Sequence, residues 1–572
     1  MADDQDTEGI IVERDVDVPM RDGVVLRADV YRPESPGRHP GLLVRTPYGK
    51  PLESHGLFAR AGFVVVSQDT RGRYASDGEW VPFSVPNTGD AEDGYDSVEW
   101  LAEQPYCDGN VGTMGGSYCG WMQWELAKLR PPHLRAMCAF SIPLELADVD
   151  WSGGFKPARR VFWWIGTMAP DLRRRHGMPP PHIPEDARRI WNNLDGERWL
   201  WFLPWTDLPH YLPPGLAKYA EDWVRDPGRR PWGFGDVHTE VEVPNLDFSG
   251  WYDHCGGTMA HLGLMQREAR TETARTQSKL VLGAWNHGGF GKRKIGGIDF
   301  GPEAAMDVDA LKIRWFDHWL KGVDNGIDRE PAVRYFVMGA KEWRTAETWP
   351  PPPSPATTVL YLDSDDYGSA KQHYGSGTLS ERSPDQAGSD TYDYDPRDPV
   401  PTLWSRTLIT EPSDRRKLEH RSDILYYRTP PLAEDIEVVG HPEVVLHAAS
   451  SAPDTDFFAH LVDEDPGGIA LEVCYGMMRA RHRNGLDREE LLTPGEAVEL
   501  RIKFGPTACQ FVKGHRIRLE ITSSNFPNHD RNHNTGGDDL AETTLVTAHQ
   551  TVHHSPEHPS CLELPVDPRA HD

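Results

Sequence analysis

The rhythm of hydrophobic and polar positions changes twice along this chain. Over residues 10–140, short apolar runs alternate with stretches of helical spacing. Residues 10–16 and 24–31 read as strands around the turn Met20-Arg21-Asp22-Gly23. Residues 40–50 form an apolar run that breaks at Pro47 and Gly49, which leaves Tyr48 in a loop at its carboxyl end. Residues 63–69 are another apolar strand, running into the polar loop 70–80. Residues 89–104 have helical spacing with acids early, and Tyr95, Val98, Trp100 and Leu101 can share a face. The apolar run Val111 to Met114 then reaches Gly115-Gly116-Ser117 and a helix-compatible stretch, 121–127. Strands alternating with helices predict a parallel α/β sheet, whose ligands bind at the carboxyl ends of its strands. Tyr48 and Ser117 both fall at such ends.

The rhythm is lost over residues 141–241. Trp151, Trp163, Trp164, Trp191, Trp199, Trp201, Trp205, Trp223 and Trp232 lie among many Pro and Arg residues without strand periodicity. A mostly helical insertion covering the active site is expected there. The α/β pattern resumes with strands at 246–250 and 279–283, a helix near 258–269 and a long helical segment over 304–321 carrying Leu311, Trp315 and Trp319 on one face. The proline run 349–355 is a stiff linker. Beyond it, short alternating segments (358–362, 443–447, 457–462, 516–521) separated by Gly, Pro, Asp and Asn predict an all-β jelly roll or sandwich. The expected organisation is an α/β-hydrolase domain in two parts, 1–145 and 242–349, a helical cap over 146–241, and a jelly-roll β domain over 350–572.

A chain of 572 residues exceeds what one core supports. Its net charge of −28 argues against nucleic acid or an anionic membrane surface as partner. Seven widely spaced cysteines with no C-x-x-C pair make neither a disulfide framework nor a zinc site expected. The acidic start Met1-Ala2-Asp3-Asp4-Gln5-Asp6 has no apolar signal core, and no stretch reaches membrane-spanning length, so a soluble cytoplasmic protein is expected.

Gly115-Gly116-Ser117, set between an apolar strand and a helix, has the form of a nucleophile elbow, with a helix N-terminus beneath the serine. Serine needs a base, and the base needs an orienting carboxylate. In the chain order Ser, acid, His, the later strand ends supply Asp253 and His287. Asp247 lies inside its strand and reads as structural. His254, adjacent to Asp253, is a weaker base because no second strand end separates it from the acid. The oxyanion needs two donors: the N–H of Tyr118, just after the nucleophile, and the Tyr48 phenol from an earlier strand end.

The motifs Arg45-Thr46-Pro47-Tyr48-Gly49, Asp69-Thr70-Arg71-Gly72-Arg73, Gly115-Gly116-Ser117-Tyr118-Cys119-Gly120 and Gly250-Trp251-Tyr252-Asp253, together with Ser523-Ser524-Asn525-Phe526-Pro527, resemble the bacterial cocaine esterase family. That family is related to X-Pro dipeptidyl-peptidases and α-amino-acid ester hydrolases, and the resemblance covers nearly the whole chain. It implies an elbow of the form G-x-S-Y-x-G closed by Gly120, a helical cap and a C-terminal jelly roll. It also implies Ser117 as nucleophile, His287 as base, Asp253 as its partner, and Tyr48 with the Tyr118 amide as oxyanion hole.

The resulting expectation is a serine hydrolase cleaving carboxylic esters, or amides, through an acyl-enzyme without metal or organic cofactor. Its partner is a small-molecule ester or amide, and self-association into a homo-oligomer stays open. Trp151, near the start of the cap, suggests an aromatic or bulky acyl pocket. X-Pro dipeptidyl-peptidase or α-amino-acid ester hydrolase activity would require a carboxylate that captures a free amine, for which the cap offers Asp148, Asp150 and Asp171. The alternative of another class is an inert hydrolase scaffold with a ligand-binding jelly roll.

Overall fold

The computed structural model describes residues 8–50, 55–83, 89–226, 234–352, 356–365, 369–371, 375, 377–403 and 409–567, with backbone alone at 147 and 194–197. The N-terminal hexapeptide, Trp232 and residues 353–355 of the proline run lie outside the described residues.

Strands β1 (Ile10–Pro19), β2 (Val25–Pro33), β3 (His39–Thr46), β4 (Val64–Asp69), β5 (Cys107–Gly116) and β6 (Leu134–Phe140) form one sheet in the order β1-β2-β4-β3-β5-β6. The first two strands are antiparallel, and from β4 onward the pairing is parallel. Strands β7 (Leu246–Tyr252), β8 (Lys279–Asn286), β9 (Val333–Val337) and β10 (Glu342–Ala346) continue in a second sheet. A parallel bridge between Met137 and Asn245 joins the two sheets. There the Asn245 side chain accepts from the Ala139 N–H (2.8 Å) and donates to the Ala139 carbonyl (2.9 Å), doing the work of a strand backbone. Every residue of β4, β7 and β8 is buried, as expected of parallel strands covered on both faces.

Helices cover both faces. The helix Asp90–Ala102 buries Gly94, Ser97, Val98 and Leu101, whereas Tyr95 and Trp100 stand half-buried to either side of that face. The long helix runs from Val308 to Lys321 rather than from Ala304. Its start is fixed by the Asp307 carboxylate, which accepts from the Ala310 N–H (2.9 Å), and its end by Gly322 in the left-handed region.

Short helices dominate residues 147–240, including Pro214–Arg225, which buries Leu216, Tyr219, Ala220, Trp223 and Val224. Beyond Ala356 the described chain is built of strands, with only single-turn 3₁₀ helices between them. The first and last strands of that region pair antiparallel (Ala356–Asp363 with Cys561–Val566), which closes it on itself. The cap is clamped to this region: Pro157 bridges His529, and the Ala158 N–H donates to the Asn528 carbonyl. Among the described residues no helix is long and apolar enough to cross a membrane. All seven cysteines are free and buried.

Candidate active site

The elbow is built from strain and close approach. Ser117 sits at φ 58°, ψ −128°, a conformation that costs a non-glycine residue on the order of 1–3 kcal/mol and that surrounding structure must enforce. Part of that enforcement is the Ser117 N–H, which donates to the Phe140 carbonyl at the end of β6 (2.9 Å). A Cβ on Gly116 would lie 2.4 Å from the Phe140 ring, and one on Gly120 would lie 2.9 Å from the Phe140 carbonyl oxygen. Those two positions must be glycine, whereas Cys119 faces the interior and has no such constraint. The helix Tyr118–Ala127 that follows is buried along its whole length, so the serine is fixed on a rigid element with first-turn N–H groups beneath it.

Asp253 and His287 each follow their strands directly, one residue after Tyr252 of β7 and Asn286 of β8. The His287 Nδ1 and Asp253 Oδ1 are 2.9 Å apart, and the Asp253 side chain is fully buried. The Cys255 N–H also donates to Asp253 Oδ1 (2.9 Å). Burial alone would raise the Asp253 carboxyl. The charge and hydrogen bond of His287, the Ser141 hydroxyl and the Cys255 amide outweigh it, and the group lies below the ordinary carboxylate range. A depressed carboxyl contributes stability above its unfolded value and loses it as pH falls through the folded one, so this group's contribution is lost on acidification. The β domain buttresses the acid: Tyr252, the preceding residue, donates its hydroxyl to the Glu472 carbonyl (3.0 Å).

Ser141 is a site residue that sequence reasoning missed. It stands one residue past β6 at φ 54°, and its hydroxyl donates to Asp253 Oδ2 (2.5 Å) and lies 2.9 Å from His287 Nδ1. Two serines in the left-handed region therefore end two adjacent parallel strands. Nothing in the sequence marks Ser141, because a positive φ at a serine has no compositional signal. Ser141→Gly keeps the backbone and removes the hydroxyl, and is expected to lower kcat roughly 10- to 100-fold, the value of a hydrogen bond to a charged group, with KM little changed in steady-state kinetics.

The other candidates divide. His254 packs against His287 with ring centroids 4.2 Å apart and the rings tilted by 40°, and burial, followed by the charges of His287, Arg159 and Arg160, pushes it well below the usual histidine value. It is a neutral packing partner rather than the base. Asp247 is buried in β7, where burial raises its carboxyl well above the ordinary value while the Thr258 hydroxyl bridges both oxygens. Burial thus disfavours its charge, in keeping with a structural role.

Tyr48 lies in the loop after β3. Its phenol accepts from the Trp163 indole N–H (3.3 Å) of the cap, and burial followed by the neighbouring Cys119 raises it above the ordinary tyrosine value, so it is an O–H donor at working pH. Arg73, fully buried, fastens this loop by donating to the carbonyls of Pro47 (2.9 Å) and of Met168 in the cap (3.1 Å). The Tyr118 side chain points away into the core. It stacks on Phe83, whose N–H donates to its hydroxyl (2.7 Å), so only the Tyr118 backbone N–H remains as a donor for the site.

Ser117 and His287 line one cavity of about 530 Å³, together with the apolar Phe140, Phe290, Met306 and Val308 and the charged Asp309 and Lys312. Among the described residues none of the cap lines it. Trp151, expected at an acyl pocket, does not line this cavity: it is 6% exposed, beneath the Lys156 ammonium (4.9 Å) and edge-on to His482, in the contact between cap and β domain. Its burial there follows from the cap having to bury its tryptophans against a second domain as well as against the first.

An open, mostly parallel sheet with a strained serine between strand and helix, and an Asp–His pair at two later strand ends, defines the class of α/β serine hydrolases. Residues 22–289 match the X-Pro dipeptidyl-peptidase (S15) family, and residues 325–563 match the X-Pro dipeptidyl-peptidase C-terminal non-catalytic domain. The chain belongs to this family, as its full-length relatives also show. It is 36% identical over 583 residues to the cocaine esterase of Rhodococcus sp. (strain MB1 Bresler), covering 97% of this chain and 98% of that one. Among solved structures, an α-amino acid ester hydrolase superposes with a TM-score of 0.79 at 23% identity, over 99% of this chain and 98% of that one. An aminopeptidase from a marine sediment Thaumarchaeota archaeon does so with a TM-score of 0.73, also at 23% identity, over 99% and 98%. The fold expected from the sequence, an α/β-hydrolase domain with an inserted helical cap and a C-terminal all-β domain, is thus the observed one.

Proposed function

We propose that this protein is a carboxylic-ester hydrolase that works through an acyl-enzyme. Ser117 attacks the ester carbonyl while His287 takes its proton. Asp253 holds the imidazole tautomer and stabilises the imidazolium, and His287 then activates water for deacylation. The Tyr118 N–H and the Tyr48 hydroxyl stabilise the oxyanion. The observation that carries this reading is the 2.9 Å bond from a buried, ionised Asp253 to His287, which lines the Ser117 cavity.

The leaning toward simple esters, and away from substrates with a free amine, rests on the cap carboxylates. Asp150 bonds Arg160 (2.7 Å) and the Trp223 indole (3.2 Å), and Asp171 bonds Arg174 (2.7 Å) and the Tyr74 N–H (2.9 Å). Asp148 is exposed, and none of the three lines the cavity. Comparing an aryl ester with an X-Pro anilide tests this: faster ester turnover is expected, and faster anilide turnover would overturn the preference. Tyr48→Phe is expected to lower kcat by about 10²–10³ with an intact fold, because its phenol makes one long bond; a change within a few-fold would remove Tyr48 from the oxyanion hole. The working unit is the division into hydrolase parts 1–145 and 242–349, cap 146–241 and β domain 350–572, acting in the cytoplasm.

A further inference from the structure

Four donor groups from two loops crowd together at the acid end of the site. The Asp253 carboxylate, a ring nitrogen of His254, the Cys255 sulfur and a ring nitrogen of His287 have ligand atoms that all lie within 4.8 Å of one another. We propose that this cluster binds a divalent transition-metal ion of the zinc type, and that the bound ion switches the enzyme off. The second half rests on the catalytic reading of Asp253 and His287 given above.

The donor set selects the metal. Two imidazoles, a thiolate and one carboxylate suit zinc, cobalt or copper, whereas calcium and magnesium demand shells of oxygen. Tetrahedral bonds of about 2.0–2.3 Å put donors about 3.3–3.8 Å apart, so the cluster must contract by about an ångström. Side-chain rotation suffices, since all four residues stand on loop backbone just past β7 and β8. The His254 Nδ1 is buried without a hydrogen-bond partner and lies 3.9 Å from Asp253 Oδ1, an unsatisfied group that a ligand would satisfy. An entry path exists because His287 lines the 530 Å³ cavity.

On binding, the Cys255 thiol gives its proton to solvent, bonds form from the metal to sulfur, to two imidazole nitrogens and to one carboxylate oxygen, and the Asp253–His287 hydrogen bond breaks. Four protein ligands leave no open position, so the ion blocks catalysis instead of contributing to it. The sequence concealed the site because Asp-His-Cys followed by a histidine 32 residues later matches no standard ligand spacing.

The test is titration of chelator-stripped full-length enzyme with Co²⁺, read by its thiolate-to-cobalt charge-transfer absorption, with ester turnover measured in parallel under Zn²⁺. One equivalent of cobalt is expected to give that band, Cys255→Ser to lose it, and His254→Phe to bind at least 10- to 100-fold more weakly. Zn²⁺ should inhibit the wild type reversibly on chelation, and His254→Phe should retain turnover without that sensitivity. No charge-transfer band, or equal affinity in wild type, Cys255→Ser and His254→Phe, would overturn the site. Cobalt bound as described with turnover unaffected would uphold the site and instead overturn the catalytic role of Asp253 and His287.

Discussion

Replacing Ser117 by alanine is expected to lower kcat/KM on an aryl ester by on the order of 10³-fold or more, with the folded structure retained. The reasoning is local. The serine hydroxyl is the only group at the elbow able to form the acyl-enzyme, and the backbone that holds it at φ 58° is fixed by the Phe140 carbonyl and the buried helix behind it. Alanine meets the same backbone strain as serine, so little stability changes. What activity remains reflects the oxyanion donors and substrate binding, which act without the nucleophile. A variant retaining most of its ester turnover would remove Ser117 from the mechanism.

Asp253→Asn is expected to lower kcat by about 10⁴, the effect of presenting the base in its wrong tautomer. The carboxylate accepts from His287, Ser141 and the Cys255 amide at once. An asparagine amide can satisfy only part of that set, and its NH₂ facing Nδ1 would favour protonation on the wrong nitrogen. Asp247→Asn serves as the internal control. Burial already disfavours the charge on that carboxyl, which makes no contact with His287, so an amide of the same shape should leave kcat nearly unchanged. If both variants lose activity equally, the loss is one of folding. If Asp253→Asn alone collapses while circular dichroism and thermal midpoint stay close to wild type, the orienting role stands.

Much of this site was legible because its parts fall at strand ends, and strand ends are marked by apolar runs. The runs at 111–114, 246–250 and 279–283 located Ser117, Asp253 and His287, and β7 and β8 proved longer than their apolar cores by two and three residues, which brings both side chains flush with the sheet edge. The closing glycine at 120 rather than 119 follows from the Phe140 carbonyl packing against it, a tertiary contact that only the family motif foreshadowed. Ser141 was hidden because its role depends on φ. The cavity beside Ser117 was hidden for a related reason. The tryptophans of the cap carry a strong compositional signal, but Trp151 spends its surface on Lys156 and His482, while the cavity is walled by Phe140, Phe290, Met306 and Val308 from segments that read as ordinary core. Where the helix 308–321 begins was likewise set by the Asp307 cap rather than by the apolar periodicity that suggested residue 304.

The most direct test of the catalytic claim is covalent labelling of the folded, full-length protein with a fluorophosphonate, followed by peptide mass spectrometry. Stoichiometric modification on Ser117, absent in Ser117→Ala and strongly slowed in Asp253→Asn, is the expected result. Absence of labelling in folded protein, or labelling at another serine with Ser117 untouched, would contradict it and favour an inert hydrolase scaffold whose β domain binds ligand.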